Sequence, residues 1–191
     1  MRITGGQFRS RALVAPRGNR TRPTSDRVRE ALFSVLSAEN ALSEESAVLD
    51  LYAGTGALAF ESLSRGAARA TLVEVGPDAL LSIAANAKSL GVSDQIEVLR
   101  GRADAQLGKL NTRAPFGVIF VDPPYVEVRE PGFQRLLVSV GALLSAAGVL
   151  VLEHASSDAA PEVEGLTARP TRIYGDTALT LYDLAHASAG S

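Results

Sequence analysis

Cysteine and tryptophan are absent from this chain of 191 residues, and histidine occurs only twice. Without cysteine the chain can form neither a disulfide nor a thiolate-based metal site. The two histidines, His154 and His186, are too few to make a histidine-rich metal site by themselves. The sequence therefore predicts no disulfide framework and no resident metal.

Long hydrophobic runs are also missing. No stretch of about 18 or more apolar residues could cross a bilayer, and the first residues include Arg and Gly where a secretory signal would be apolar. The composition is 46% hydrophobic and 21% charged, as in ordinary globular proteins, and the length suits one domain. We therefore expect a single cytoplasmic domain with a small appendage.

The net charge of −2 hides an uneven distribution. Residues 1–30 contain eight arginines and two acidic residues, a net charge of +6, so the remainder carries −8. Arginine suits forked contacts with phosphate and stacking on bases. A solvated tail is the alternative, but Gly5, Gly6 and Phe8, with the alternating stretch 12–14, predict a small strand or hairpin. We expect residues 1–22 to be a basic extension that contacts nucleic acid.

Beyond residue 22 the apolar pattern becomes regular. Pro23, Thr24, Ser25 and Asp26 are typical of a helix start, and an apolar stripe at helical spacing follows. From residue 47 onward, short apolar runs alternate with helical stretches, which predicts an α/β fold with a mostly parallel, doubly wound sheet. Residues 172–184 predict a C-terminal antiparallel hairpin. The predicted strands are 47–52, 70–75, 95–99, 117–122 and 148–153, and the predicted helices are 56–65, 78–91, 103–110 and 132–145.

Ligands of such sheets bind at the carboxyl ends of the strands. The turn after the first strand, GTGALA, nearly fits the dinucleotide fingerprint, and Glu74 lies 20 residues after Gly54, where a ribose-binding acid is expected. A nicotinamide enzyme is therefore one hypothesis. Asp50 favours another, because a carboxylate at the lip of this turn would repel a pyrophosphate and attract the sulfonium and ammonium of S-adenosylmethionine. Asp50 as a simple helix cap is the structural alternative.

The stretch VDPPY, Val121 to Tyr125, ends the fourth predicted strand. Two consecutive prolines cannot donate to a sheet, so the strand must stop and leave a stiff lip with bare carbonyls. Asp122 and a carbonyl offer two acceptors for an exocyclic amine, and Tyr125 offers a flat face for a base. The alternative is a strand followed by a tight turn with a core tyrosine.

These motifs together resemble the bacterial small-subunit ribosomal RNA guanine-N2 methyltransferases, the RsmD family, over almost the whole chain. The resemblance rests on RITGGQFRSRAL, RPTSDRVREALF, LDLYAGTGALAFESLSRGA, VDPPY and YGDTALTLYDL. It implies a Rossmann-like fold, S-adenosylmethionine as methyl donor and a 16S rRNA guanine as acceptor. It also implies a monomer that acts during assembly of the 30S subunit.

The resemblance implies a methyltransferase domain over residues 23–185, and the small polar tail 186–191 is expected to be disordered. Arg102 and Ala103 depart from the Asp or Asn before Ala that the family often has there, so either Asp104 replaces that acceptor by a change of register or backbone and apolar contacts hold the adenine. A DNA adenine-N6 or protein glutamine methyltransferase would use the same acceptor chemistry and remains an alternative. The expected catalytic residues are Asp122, Pro123, Pro124 and Tyr125, and the expected cofactor contacts are Asp50, Tyr52, Gly54, Thr55, Gly56, Glu74, Val75, Arg102, Ala103 and Asp104. The expected RNA contacts are Arg9, Arg11, Arg20, Arg22, Thr24 and Arg27.

Overall fold

The computed structural model describes residues 1–16 and 26–185, which form six helices and eight strands around one sheet. The helices are α1 Asp26–Ala38, α2 Ala57–Ser64, α3 Pro77–Leu90, α4 Ala103–Asn111, α5 Tyr125–Val128 and α6 Pro131–Gly141. The strands are β1 Ala47–Leu51, β2 Arg69–Glu74, β3 Ile96–Arg100, β4 Phe116–Val121, β5 Leu144–Ala155, β6 Leu166–Ala168, β7 Arg172–Tyr174 and β8 Thr177–Leu184.

The sheet has the strand order β3-β2-β1-β4-β5-β8-β6, and β7 also pairs with β8. Strands β1 to β5 are parallel, whereas β8 runs antiparallel to β5, β6 and β7. The predicted α/β class and the C-terminal antiparallel hairpin are confirmed. The order reverses between β1 and β4, and a crevice at this point is where such folds bind ligands.

Both faces of the sheet are apolar, because successive residues of a strand point to opposite sides. One face packs against α1, α2 and α3, and the other packs against α4 and α6. In β4, for example, Phe120 belongs to the first layer and Val121 to the second. The Phe120 ring lies 5.8 Å from the Phe33 ring of α1 at an angle of 48°. The strands that end at the crevice between β1 and β4 are thus covered by helices on both faces of the sheet.

The N-terminal segment, residues 1–16, packs on α2 and belongs to the apolar layer that contains α1, α2 and α3. A single antiparallel bridge joins Arg2 to Ala12, so the predicted hairpin is present in a minimal form. The backbone amide of Gln7 donates to the carbonyl of Ser64 at 2.8 Å. Gly6 has a φ of 74°, and a Cβ at this position would lie 1.8 Å from that carbonyl oxygen. Only glycine fits this contact.

Two details differ from the sequence prediction. The helix predicted for 132–145 ends at Gly141, because β5 begins at Leu144, which pairs with Phe116 of β4 and must therefore be extended. The short elements α5 and β6 were not predicted, since four and three residues are too few to show a period.

The predicted helix-start residues Pro23, Thr24 and Ser25 and the tail 186–191 lie outside the described residues. Within the described ranges, no helix combines the length and apolar character needed to cross a membrane.

Candidate active site

A cavity of about 640 Å³ opens at the carboxyl ends of the central parallel strands. Thirteen of the fourteen residues predicted to be catalytic or to bind the cofactor line this cavity, and Gly56 is the exception. The residues that the sequence assigned to one site therefore lie together at one edge of the sheet. The predicted residues in the lining are Asp50, Tyr52, Gly54, Thr55, Glu74, Val75, Arg102, Ala103, Asp104, Asp122, Pro123, Pro124 and Tyr125.

The turn between β1 and α2 contains three residues with positive φ, namely Tyr52, Gly54 and Gly56. A Cβ on Gly54 would meet nothing closer than the Tyr52 carbonyl oxygen at 3.9 Å, so this glycine serves the left-handed backbone. A Cβ on Gly56 would lie 2.6 Å from the Phe60 ring. Packing of α2 on the sheet therefore requires this glycine, and its expected contact with the cofactor stays a prediction.

Asp50 is buried at the end of β1, with 1% of its surface exposed. One of its oxygens, Oδ2, accepts the amide of Ala59 in the first turn of α2 at 3.1 Å. Asp50 thus caps the helix and also lines the cavity, so the helix-capping role does not take the carboxylate away from the cavity. Burial raises the pKa of the Asp50 carboxyl well above its usual range, and the charges of Asp122 and Glu74 raise the pKa further.

Glu74 ends β2 and holds the glycine turn in place. Its Oε2 accepts the amide of Gly54 at 2.7 Å, and its Oε1 accepts the amides of Val75 and Gly76 at 2.8 and 2.7 Å. Charge-assisted bonds of this kind are stronger than neutral ones. A carboxylate has about four acceptor positions, so Glu74 can still accept a hydroxyl.

Tyr52 connects the first turn to the segment after β4. Its hydroxyl donates to Oε2 of Glu127 in α5 at 3.0 Å. Partial burial, followed by the charge of Glu127, raises the pKa of the Tyr52 hydroxyl, so the phenol stays protonated at neutral pH. This bond fixes the distance between the two turns that flank the cavity.

The VDPPY segment has the predicted break in the strand, because β4 ends at Val121 and α5 begins at Tyr125. Pro123 is buried and Pro124 is exposed. The carbonyl of Pro124 accepts the amide of Glu127 at 2.8 Å, so it is not one of the bare carbonyls expected from the sequence. The Tyr125 hydroxyl lies 2.9 Å from Oγ1 of Thr177, and this bond ties the ring to the start of β8.

Arg102, Ala103 and Asp104 form the start of α4 at the β3 side of the cavity. Oδ1 of Asp104 accepts Nε of Arg102 at 3.3 Å and the amide of Ala105 at 2.8 Å. Ala103 is buried, whereas Arg102 and Asp104 are largely exposed. The hydrogen bond to Asp104 raises the pKa of the Arg102 guanidinium.

Three of the predicted RNA contacts, Arg9, Arg11 and Arg27, lie in the described residues, and all three are exposed. Arg11 also has a structural role, since its Nη2 donates to the carbonyl of Ser89 at 2.7 Å near the end of α3. The predicted contacts Arg20, Arg22 and Thr24 lie outside the described residues.

Sequence reasoning missed several residues of the cavity wall, among them Arg29 and Glu153. Arg29 belongs to the arginine-rich first 30 residues, yet it is 1% exposed. It lies three and four residues before the buried Leu32 and Phe33 of α1, and this helical spacing was the available signal. Across residues 1–16 and 26–185, no cluster of three or more His, Cys, Asp or Glu side chains is arranged to hold a metal ion.

The cavity wall is strongly acidic in the described residues, which contribute seven carboxylates and only two guanidiniums. Such a wall favours a ligand with positive charge and disfavours a pyrophosphate. S-adenosylmethionine, with a sulfonium and an ammonium, fits this set of carboxylates. A dinucleotide, with its negative pyrophosphate, fits it poorly.

Comparison with known proteins gives matches that cover almost the whole chain. The sequence model of the family described as Conserved hypothetical protein 95 matches residues 1–183. The chain is 32% identical over 184 residues to the Bacillus subtilis protein named "Putative rRNA methyltransferase YlbH", with 95% of this chain and 98% of the relative covered.

The chain is also 39% identical over 125 residues to Ribosomal RNA small subunit methyltransferase D of Escherichia coli K12, and this match covers 65% of the chain and 60% of the relative. Among solved structures, hypothetical protein TTHA0928 of Thermus thermophilus superposes with a TM-score of 0.81 at 31% identity, covering 96% of this chain and 99% of that one. The resemblance drawn from the motifs is therefore confirmed, and it includes the N-terminal segment.

Proposed function

The chain belongs to the family of Conserved hypothetical protein 95, and on that basis we propose that it transfers a methyl group from S-adenosylmethionine to the exocyclic N2 amine of a guanine in 16S rRNA. The names of its relatives support ribosomal RNA as the substrate class. The observation that carries the proposal is the placement of Asp50 and Asp122 at the ends of neighbouring parallel strands in one acidic cavity.

The wall around Asp50 suits the donor. Bound S-adenosylmethionine would supply a methyl group that its positive sulfonium activates. A cation beside Asp50 favours the ionised carboxylate, which burial and two neighbouring acids disfavour in the free protein. Glu74 accepts one ribose hydroxyl at the acceptor position that the three backbone amides leave unused. At the β3 side of the cavity, the adenine of the donor is surrounded by Arg102, Ala103 and Asp104.

Further lining residues complete the proposed donor site. Val75 is 55% exposed beside Glu74 and offers an apolar face to the adenine. Tyr52, Gly54 and Thr55 shape the turn against which the donor lies.

Asp122 and the Pro123 carbonyl are the proposed acceptors for the guanine amine. Hydrogen bonds from the amine to these two oxygens aim its lone pair at the methyl group. The new nitrogen–carbon bond replaces the sulfur–carbon bond, so S-adenosylhomocysteine is the leaving group and the surplus amine proton passes to water. Holding reactants in line in this way can contribute roughly 7 to 11 kcal/mol to lowering the barrier. No histidine base is required: His154 is buried between the Ala155 carbonyl and the Thr180 hydroxyl, each 3.0 Å from a ring nitrogen.

The target base must leave its stack to reach the cavity. Tyr125, with its hydroxyl tied to Thr177, presents a fixed ring on which the base stacks, next to Pro124. Phosphates near the target are held by arginines of the basic extension. The enzyme acts as a cytoplasmic monomer on 16S rRNA, within a 30S subunit or an assembly intermediate. The proposed RNA contacts are Arg9, Arg11, Arg27 and, outside the described residues, Arg20, Arg22 and Thr24.

The test is to incubate the protein with methyl-labelled S-adenosylmethionine and, separately, 16S rRNA, partly assembled 30S particles, DNA and a protein extract. Digestion to nucleosides and amino acids then identifies the product. We expect label in N2-methylguanosine from rRNA, whether naked or in particles. Label confined to DNA adenine or to protein glutamine would contradict the proposed rRNA target. Tight binding of NADH without binding of S-adenosylhomocysteine would contradict methyl transfer as the reaction.

A further inference from the structure

Arg29 is a buried arginine whose donors are only partly used. Its Nη2 donates to the carbonyl of Arg2 at 2.5 Å and to Oδ1 of Asp26 at 2.9 Å. Its Nε and Nη1 have no hydrogen-bond partner among the described residues, although both atoms are shielded from solvent. A guanidinium carries five N–H donors, so three of them remain for a ligand.

A charged donor that is buried without a partner is costly, and a ligand that supplies the partner removes this cost. Arg29 is part of the cavity wall. Its bonds to Arg2 and Asp26 hold the guanidinium in a fixed orientation, so little side-chain freedom is lost when a ligand binds. The position is therefore prepared for an anionic group that enters from the cavity.

The charge of the wall limits where an anion can bind. Carboxylates outnumber guanidiniums seven to two among the described lining residues, so most of the wall repels an anion. Of the two guanidiniums, Arg102 is two-thirds exposed and is already bonded to Asp104. Arg29 is the buried one. It therefore offers the negative end of a zwitterionic ligand a buried positive partner in an otherwise acidic wall.

We propose that Arg29 binds the α-carboxylate of the amino-acid part of S-adenosylmethionine. The carboxylate accepts from Arg29, while the ammonium and sulfonium face the acidic wall around Asp50. A phosphate of the RNA backbone does not fit this role, because each phosphate carries a ribose on both sides and Arg29 is only 1% exposed. A terminal carboxylate on a slim chain can reach such a donor. The inference rests on the proposed methyl donor and is independent of the target base.

The test compares S-adenosylmethionine with its decarboxylated analogue, which keeps both positive charges. Calorimetry on the wild-type protein should show a preference of about 10- to 100-fold for the form with the carboxylate, the range expected for a hydrogen bond to a charged group. In Arg29→Met this preference should fall to nearly one, and in Arg29→Lys it should be intermediate. Arg135→Met, which removes an exposed arginine of α6, should keep the wild-type ratio.

Each outcome decides the proposal. Equal binding of the two ligands by the wild-type protein overturns it, even if Arg29→Met does not fold. An unchanged ratio in a folded Arg29 variant also overturns it and assigns Arg29 to holding the N-terminal segment. A lower salt dependence of RNA binding with an unchanged ratio would make Arg29 a phosphate contact. Failure to bind either ligand would instead refute S-adenosylmethionine as donor.

Discussion

Thr4 and Glu61 are joined by two hydrogen bonds of 2.7 Å, one from the backbone amide and one from the hydroxyl of Thr4. The same carboxylate accepts the amide of Gly5 and Nε of Arg65, each at 2.8 Å. Glu61 is fully buried on α2. One carboxylate therefore holds the N-terminal segment against the body of the protein, and this segment carries Arg9 and Arg11.

Replacement of Glu61 should release this segment. In Glu61→Gln an amide NH₂ would face N–H or O–H donors, so we expect a loss of about 2 to 4 kcal/mol in the free energy of unfolding. Chemical denaturation measures the loss, and Glu44→Gln, which changes an exposed glutamate, is the control. Equal stability of the two variants would contradict the role of Glu61 as the docking point.

Asp50→Asn should separate cofactor binding from stability. The asparagine oxygen can still accept the amide of Ala59, so the helix cap remains. Loss of the charge should weaken binding of S-adenosylmethionine by about 10- to 100-fold, as measured by calorimetry. Asp94→Asn, at an exposed position, should leave the affinity unchanged.

The same variant should change the pH dependence of stability. Because burial raises the folded-state pKa of Asp50 above its unfolded value, the folded protein holds this proton more tightly, and the wild type loses stability as pH rises from about 4 to the raised pKa. The uncharged asparagine side chain of the variant does not titrate and causes no such loss. Thermal unfolding at pH 5 and pH 8 measures the difference in melting temperature between the variant and the wild type. This difference should favour the variant more at pH 8 than at pH 5, and the opposite order would contradict the assigned direction of the pKa shift.

Asp122→Ala should abolish methyl transfer while cofactor affinity stays within a few-fold. The carboxylate is proposed to bind the target amine, and loss of one fixed polar group at a reacting centre typically lowers the rate by about 100-fold or more. Single-turnover transfer to rRNA and calorimetry with S-adenosylhomocysteine give the two readouts. A variant that remains active would refute the acceptor role, and one that no longer binds the cofactor would move Asp122 to the donor site.

Arg9→Gln should reduce RNA binding through one phosphate contact. The slope of log affinity against log salt should become shallower by about 0.7 to 0.9. Arg11→Gln should show the same change together with a lower melting temperature, because Arg11 also bonds to the Ser89 carbonyl. Arg135 lies on α6, which packs against the opposite face of the sheet, so Arg135→Gln should leave the slope unchanged. Identical slopes for Arg9→Gln and Arg135→Gln would remove the N-terminal segment from the RNA interface.

The alternation of apolar runs was sufficient to predict the parallel strands β1 to β5 and the main helices, because buried strands and amphipathic helices need different apolar periods. The polar residues that end β1, β2 and β4 were assigned to one edge because parallel strands carry their carboxyl ends together. The end of α6 could not be predicted, because residues 142–145 continue a helical pattern and the pairing of Leu144 with Phe116, a residue distant in the chain, is what places Leu144 in a strand.

The sequence by itself determined the fold class and the family, and it placed the candidate site residues at one edge of the sheet, since these follow from local periodicity and from motifs of adjacent residues. Only the tertiary structure decided what single side chains do. Asp50 caps α2 while lining the cavity, Gly56 serves packing, and Arg29 is buried with unused donors. The physical reason is that burial, pKa and hydrogen-bond partners depend on residues distant in the chain, and a linear pattern carries no distances between them.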